Sequence, residues 1–359
     1  MKTALFEHHH LYYLPQFLPV MKELVSRGKS KLFSSISHDV SDEDKSVFEE
    51  EMKALGIIVI SGKSESHRRK LIRDNRFDIM FIGNNSHVEQ LIDEHTFLVM
   101  VYHGIGLKES YYSDRFDRVN LRAVESEERY NKLLSLGETN LALTGFTKLD
   151  ALETPTETDR IKWIEDKGLD PNKQIILYAP TFYPSSLEKT LPVIPFLAKN
   201  VNVMIKLHQF SWTKKKYTVH HHSAEKISNR VGVYLIPQKE YNILPYFPYV
   251  DGLITDISST LFEFLSLDRP IIQTTYFTPR IHHRIFPWIL QKRIDITRYS
   301  EVDFTHRVDS PQELNAMVKN TLGDPNDHSA IRLAARKRYL YRVDRQASAR
   351  LVDAIEKEI

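Results

Sequence analysis

The sequence predicts an α/β protein of two parallel-sheet units in tandem, closed by C-terminal helices. Three observations predict it. Apolar segments of strand length alternate with amphipathic stretches of helix length in two successive cycles. The strand segments are continuously apolar rather than alternating, as in parallel sheets covered by helices on both faces. Between the cycles the pattern breaks, and 359 residues leave room for about two domains.

The first cycle reads Thr3–Phe6 strand, Pro15–Arg27 helix, Lys31–Ile36 strand, Lys45–Leu55 helix and Ile57–Ile60 strand. Strands follow at Asp78–Ile82, Phe97–Tyr102, Val119–Val124 and Leu141–Leu143, each ending in a polar or Gly-containing turn. Leu152–Lys173 carries a Pro- and Thr-rich stretch, a helix over Asp159–Lys167 and a Gly-Leu-Asp-Pro-Asn turn, and reads as a connection. The second cycle has strands at Gln174–Tyr178, Val201–Leu207, Gly232–Ile236, Gly252–Thr255 and Pro270–Thr274, with a helix over Ser259–Leu267. Strong helix formers dominate Pro311–Leu322 and Ser329–Ile359. Two Rossmann-like domains facing a cleft are expected, with chemistry sought in the turns beyond the carboxyl ends of the strands. The boundaries read as 1–155, 156–330 and a C-terminal helix over 331–359.

Composition narrows the function classes. With 42% hydrophobic and 27% charged residues the chain is an ordinary globular protein rather than a disordered or collagen-like one. The 49 basic residues nearly cancel the 47 acidic ones, which argues against a protein that coats nucleic acid. Zero cysteines exclude disulfides, thiol nucleophiles and thiolate zinc sites, and fit a cytoplasmic location. No secretory signal and no spanning segment are expected.

Several strand ends carry chemistry-bearing residues. At the end of Gly252–Thr255, Asp256 is followed by Ser258, Ser259 and Thr260 opening a helix, with Glu263 one turn in. Orphan amides and hydroxyls at such a helix start suit a phosphate, and Glu263 suits a sugar hydroxyl. Plain helix capping by serine is the structural alternative. His103, flanked by Tyr102 and Gly104, follows the strand Phe97–Val101 and is placed to act as a general base. Lys206 and His208 close another strand, alternation sending both to one side as phosphate ligands, and Thr181 ends the strand before it. His8–His10 and His220–His222 would lie on strands, where three adjacent side chains do not converge on one ion, so no metal site is expected. No P-loop and no complete dinucleotide fingerprint occurs. Trp212 with Lys214–Lys216 and Tyr217, and Arg284 with Trp288, Lys292 and Arg293, form basic aromatic clusters suited to a membrane surface or a polyanionic chain, or to a solvated loop.

Taken in order, five motifs carry a resemblance. They are Tyr102-His103-Gly104-Ile105-Gly106-Leu107-Lys108; Gly145-Phe146-Thr147-Lys148-Leu149-Asp150; Ile176-Leu177-Tyr178-Ala179-Pro180-Thr181; Lys206-Leu207-His208; and Leu253 through Phe264 with Arg269-Pro270. The chain resembles the CDP-glycerol glycerophosphotransferases, the teichoic-acid primases and polymerases of the GT-B fold, over roughly residues 100 to 275. The resemblance implies that His103 activates the acceptor hydroxyl, that His208 contacts the donor phosphate, and that Ser258, Ser259 and Thr260 hold the pyrophosphate. Gly104, Lys108, Lys148, Thr181, Lys206, Asp256 and Glu263 are the further substrate-binding candidates. The implied reaction moves glycerol phosphate, or a related polyol phosphate, from a CDP donor to a lipid-linked or polysaccharide acceptor and releases CMP. It implies synthesis of a teichoic-acid-like or capsule polymer without a required cofactor, on the cytoplasmic side and in peripheral contact with the membrane.

The motifs also depart from the family pattern. Ile105-Gly106 stands where the family has Thr-Pro, Thr147-Lys148 where it has Pro-Arg, and Phe182-Tyr183 where it has Trp-Arg. Gln209 replaces Pro, Ile257 replaces an aromatic residue, and Thr274–Pro279 lacks the usual acidic residue. Two lost arginines mean two lost bidentate phosphate grips, which points to a different CDP-alcohol or acceptor. The alternatives are a GT-B glycosyltransferase or a sugar epimerase acting on a nucleotide sugar, and a non-catalytic binder of nucleotides or glycans.

Overall fold

From Ala4 onward the run Lys2–His8 is buried on both faces, and it forms an interior strand, β1, paired in parallel with β2 (Ser30–Ile36) and β4 (Ile79–Ile82). The computed structural model describes residues 1–85, 88–106, 116–280, 285, 288 and 302–359. With β3 (Ile58–Val59), β5 (Phe97–Val101), β6 (Leu121–Val124) and β7 (Leu141–Leu143), these strands make a seven-stranded parallel sheet in the order β3-β2-β1-β4-β5-β6-β7. A second parallel sheet has the order β10-β9-β8-β11-β12-β13, from β8 (Ile175–Tyr178), β9 (Asn202–Ile205), β10 (Val233–Leu235), β11 (Gly252–Thr255), β12 (Ile271–Thr274) and β13 (His306–Val308). The two-sheet α/β class expected from the continuous apolar runs is therefore present. Each sheet reverses its winding once, between β1 and β4 in the first and between β8 and β11 in the second. Such a reversal opens a crevice beyond the carboxyl ends of the strands, which is where α/β sheets bind ligands.

The chain divides into two units. The first comprises Met1–Ile105, Ser110–Ala151 and Arg338–Ile359, the second Gly106–Glu109 and Leu152–Lys337. In the second unit the core gathers Ile176, Tyr178, Val203, Ile205, Ile254 and Ile272 from the strands against Leu197, Leu314 and Val318 from the helices. In the first, Leu5, Met80, Ile82, Leu98 and Met100 pack with Ile72 and Phe77.

The last helix, Ala347–Glu358, belongs to the first unit. It lies along the helix Leu14–Arg27, with Arg27 Nη1 2.8 Å from Asp353 and Arg27 Nη2 donating to the Ala349 carbonyl at 3.2 Å. Its start is capped by Asp150, whose two carboxylate oxygens accept from the amides of Ala347 (3.0 Å) and Ser348 (2.7 Å). Gly145 reaches the same place at φ +89, where an added Cβ would stand 2.6 Å from the Tyr341 carbonyl oxygen. The motif Gly145–Asp150 thus clasps the C-terminal segment.

Several helices and one strand lay outside the periodicity reading. The helix Glu65–Asn75 is mostly polar and charged, and its signal is the Ser64 cap accepting from the His67 amide at 3.2 Å. β13 is three residues long, too short for any period. The tract His220–His222 lies within the helix Thr218–Ser228, not on a strand. Its first turn follows directly on the exposed Lys215–Lys216, which hid the helix among polar residues.

Candidate active-site residues

In the first unit the winding reversal gathers aromatic rings and two histidines, His10 and His103. β5 ends at Val101, the Tyr102 side chain turns into the core, and His103 emerges half-buried. Its Nδ1 lies 3.4 Å from the carbonyl oxygen of Gly83, the residue after β4. A carbonyl only accepts, so Nδ1 carries the proton in this contact and Nε2 keeps the lone pair. The Tyr13 ring meets the His103 ring edge-on at 4.8 Å, and Tyr12 lies at 5.3 Å. Tyr13 is fixed from the other side by Asn84, whose Nδ2 donates to the Tyr13 hydroxyl at 2.6 Å. Only glycine fits at position 83, because a Cβ there would sit 2.1 Å from the Tyr13 ring. Tyr12 and Tyr13 were missed from sequence, and Gly83-Asn84 was marked only as a turn ending a strand; the signal was placement shortly after β1 and β4.

Of the other candidates in this unit, Gly104 is buried beside His103 and Lys148 sits half-buried on the turn Thr147–Ala151. Lys108 lies outside the described residues. The tract His8–His10 splits: His8 is fully buried with its pKa pushed down to about 3 by burial, while His9 and His10 lie beyond the end of β1, His10 stacked on Tyr13.

In the second unit, β9, β8 and β11 are neighbours, so their following turns lie side by side. Asp256, just after β11, is completely buried and locks these turns together. One carboxylate oxygen accepts from the Thr181 amide at 2.7 Å, the other from the Ser186 amide (3.0 Å) and hydroxyl (3.1 Å). Ser186 in turn bonds the Tyr178 hydroxyl at 2.9 Å, and the Thr255 hydroxyl donates to the Ala179 carbonyl at 2.6 Å. Burial raises the Asp256 pKa to about 6, against the pull of those hydrogen bonds. Asp256 therefore shapes the turn that carries Thr181, with both oxygens engaged inside the protein.

His208 stands half-buried three residues beyond β9 and begins the short helix Gln209–Thr213. Its Nδ1 accepts from the Phe210 amide at 3.1 Å. That bond needs a lone pair on Nδ1, so the proton of the neutral ring sits on Nε2 and points away as a donor. Phe182 and Phe210 flank the imidazole at 4.7 and 5.2 Å. Lys206 is buried, its Nζ 3.3 Å from the Leu207 carbonyl.

The serine-rich turn differs from the expected helix-end cradle. The helix Thr260–Phe264 has five residues and runs on into the tighter turn Leu265–Leu267, so its dipole is short. The hydroxyls bond one another: Ser258 donates to Thr260 Oγ1 at 3.0 Å, and Ser259 to Glu263 at 3.4 Å. Glu263 and Thr260 are buried, whereas Ser258 and Ser259 are half-exposed. Arg269 is a structural clamp, donating to the carbonyls of Phe247 and Pro248 at 3.0 Å each.

Comparison with known proteins adds to this geometry. The chain is 26% identical over 166 residues to the teichoic acid glycerol-phosphate primase of Bacillus subtilis (strain 168), across 45% of this chain and 40% of the primase. The match thus spans less than half of that relative. The wall teichoic acid polymerase TagF has a similar fold, with a TM-score of 0.70 at 15% identity over 99% of this chain and 88% of the polymerase. A UDP-GlcNAc 2-epimerase from Neisseria meningitidis also shares the fold, with a TM-score of 0.59 at 14% identity over 99% of this chain and 100% of the epimerase. Those two likenesses speak for the fold alone. Residues 84–357, which hold both histidines and the Asp256 lock, match the family described as CDP-glycerol:poly(glycerophosphate) glycerophosphotransferase, against the nucleotide-sugar alternative, and the chain belongs to that family.

Proposed function

We propose that this chain transfers glycerol phosphate from CDP-glycerol to a hydroxyl of a lipid-linked or polysaccharide acceptor, in synthesis of a teichoic-acid-type polymer. Family membership supports the reaction class. One observation carries the assignment of roles: the Nδ1 of His103 meets a backbone carbonyl, whereas the Nδ1 of His208 meets a backbone amide. With Nδ1 protonated, His103 offers its Nε2 lone pair to remove the acceptor proton. With Nδ1 accepting, His208 offers its Nε2–H to an anionic phosphate oxygen.

The step balances without a redox change. The acceptor oxygen bonds to the phosphorus that bears glycerol, the bond from that phosphorus to the bridging oxygen breaks, and CMP leaves with the electron pair. The acceptor proton passes to His103. Catalysis then rests on positioning and on neutralising phosphate charge, for which His208, the buried Lys206 and the Thr181, Ser258 and Ser259 groups are the available donors. Gly104, Lys108 and Lys148 are proposed on the acceptor side. Asp256 and Glu263 act through the turns they hold.

Peripheral membrane contact is part of the proposal. No helix among the described residues is long and apolar enough to cross a membrane. Lys214, Lys215 and Lys216 are exposed next to the exposed Val219, an arrangement suited to an anionic lipid surface. Arg284, Lys292 and Arg293 lie outside the described residues, and Trp288 is exposed.

The test is CMP release by the purified chain supplied with CDP-glycerol and a lipid-linked or polyglycerol-phosphate acceptor, against CDP-ribitol and a UDP-sugar. Acceptor-dependent CMP release with CDP-glycerol supports the reading, and turnover of the UDP-sugar alone overturns it.

A further inference from the structure

Far along the chain from both histidines described above, the second unit builds another polar cluster. β13 begins with His306, whose side chain is 8% exposed. The turn Asp324–Ser329 brings Asp327 and His328 to it. The His306 and His328 rings stack at 4.2 Å with planes 12° apart, and Asp327 Oδ2 lies 3.9 Å from His306 Nδ1. One nitrogen of each ring and one Asp327 oxygen fall within 4.8 Å of one another.

Two features set this cluster apart from an ordinary surface group. His306 Nε2 and His328 Nδ1 are both buried and have no hydrogen-bond partner among the described residues. Leaving a buried ring nitrogen unmatched costs about 1–3 kcal/mol, and each of the two rings carries one. His328 also holds φ +61, a left-handed conformation that a non-glycine residue adopts at a cost. That conformation is held by the neighbouring turn. Buried Arg332 donates to the Pro325 carbonyl at 2.7 Å, the Asp327 carbonyl at 2.6 Å and Asp268 at 3.0 Å, and Ser329 donates to Asp268 at 2.7 Å. Asp268 offsets the Arg332 charge, which leaves Asp327 as the net negative charge beside the two imidazoles.

We propose that His306, Asp327 and His328 form a binding site for a divalent transition-metal cation of the zinc class. Two neutral imidazoles and one carboxylate are a borderline donor set that suits such an ion better than magnesium or calcium, and the chain has no cysteine to compete. Tetrahedral zinc with bonds near 2.0–2.2 Å needs ligand atoms about 3.3 Å apart. To bind one ion the ligand atoms close by about 1.5 Å at their widest, and one of the stacked rings rotates out of the stack, since an imidazole ligates through the lone pair in its own plane. Asp327, with its side chain 56% exposed, supplies the movable ligand. Three protein ligands leave the fourth position to water. The ion would tie β13, at the edge of its sheet, to the turn that leads into the helix Ser329–Tyr339. The proposal is independent of the transfer reaction.

The experiment titrates the chelator-treated, full-length protein with Zn²⁺ by calorimetry and with Co²⁺ by visible absorption, beside the variants His328→Asn and Asp327→Asn. Asparagine tolerates the left-handed backbone, so His328→Asn removes the ligand and keeps the turn. The expected result is one Zn²⁺ per chain, a tetrahedral Co²⁺ spectrum, and affinity about 100-fold weaker in either variant, with circular dichroism showing both folded. A control, His221→Ala with His222→Ala, retains the binding. Absence of Zn²⁺ binding by the parent at micromolar metal overturns the proposal, and so does unchanged affinity in folded His328→Asn.

Discussion

His103 and His208 each follow a parallel strand, each stands half-buried among aromatic rings, and each is fixed through Nδ1. They differ in the backbone group that Nδ1 meets. The Gly83 carbonyl forces a proton onto Nδ1 of His103 and leaves Nε2 basic; the Phe210 amide forces a lone pair onto Nδ1 of His208 and leaves Nε2 a donor. One hydrogen bond thus suits the same side chain to the opposite tasks proposed for it. The supports differ too: the His103 shelf is aromatic, from Tyr12 and Tyr13, whereas the turns beside His208 are locked by one buried carboxylate, Asp256.

The comparison breaks most sharply at the base. His103→Ala is expected to lower the turnover number roughly 100- to 10,000-fold while donor affinity changes little, measured as CMP release against CDP-glycerol binding. Near-normal turnover would remove the base from the mechanism. His208→Asn keeps an acceptor near the Phe210 amide but loses the reach of Nε2–H. It should raise the dissociation constant for CDP-glycerol roughly 10- to 150-fold, the worth of a charge-assisted hydrogen bond, with helicity unchanged.

Asp256→Asn sharpens the contrast between the two supports. It replaces one of two accepting oxygens with an amide that faces donors, at an expected cost of about 1–3 kcal/mol at pH 7, read from urea denaturation. The pH dependence has a defined sign. Folding raises this pKa from 3.8 to about 6, so the folded state binds the proton more tightly. The stability it brings is fully present below about pH 4 and is lost as pH rises through about 6, a span worth ~3 kcal/mol. The advantage of the parent over the variant should therefore widen as pH falls from 7 to 4; a constant gap would show that Asp256 does not titrate there. Tyr13→Phe has the smallest expected effect. It loses the 2.6 Å bond from Asn84, worth about 1 kcal/mol, and should lower turnover by less than about tenfold with donor affinity intact.

Much of the fold was legible in the chain. Short apolar runs bounded by turns, such as Ile79–Ile82 and Ile175–Tyr178, mark strands buried on both faces, and the sequence reading placed a strand at twelve of the thirteen described, β13 at His306–Val308 being the exception. The helices Glu65–Asn75 and Thr218–Ser228 escaped because charge and histidine masked their apolar stripe. Among the candidate site residues, His103, His208, Thr181 and Asp256 could be picked out because each lies within three residues of a strand end. The meeting of Tyr13 with Gly83 could not, since it depends on β1 and β4 being neighbours although two other strands and three α-helices lie between them in the chain.

The sequence by itself determined the two parallel sheets and which turns carry reactive side chains, because burial pattern and strand length are local properties of the chain. The tertiary structure decided what those side chains do. The serine-rich turn bonds within itself, Asp256 is spent on Thr181 and Ser186, and the motif Gly145–Asp150 holds the last helix. It also decided the histidine tautomers and brought His306 to Asp327 and His328. Each of these depends on which backbone group or side chain meets a given atom in space, and hydrogen-bond partners distant in the chain leave no periodic trace in it.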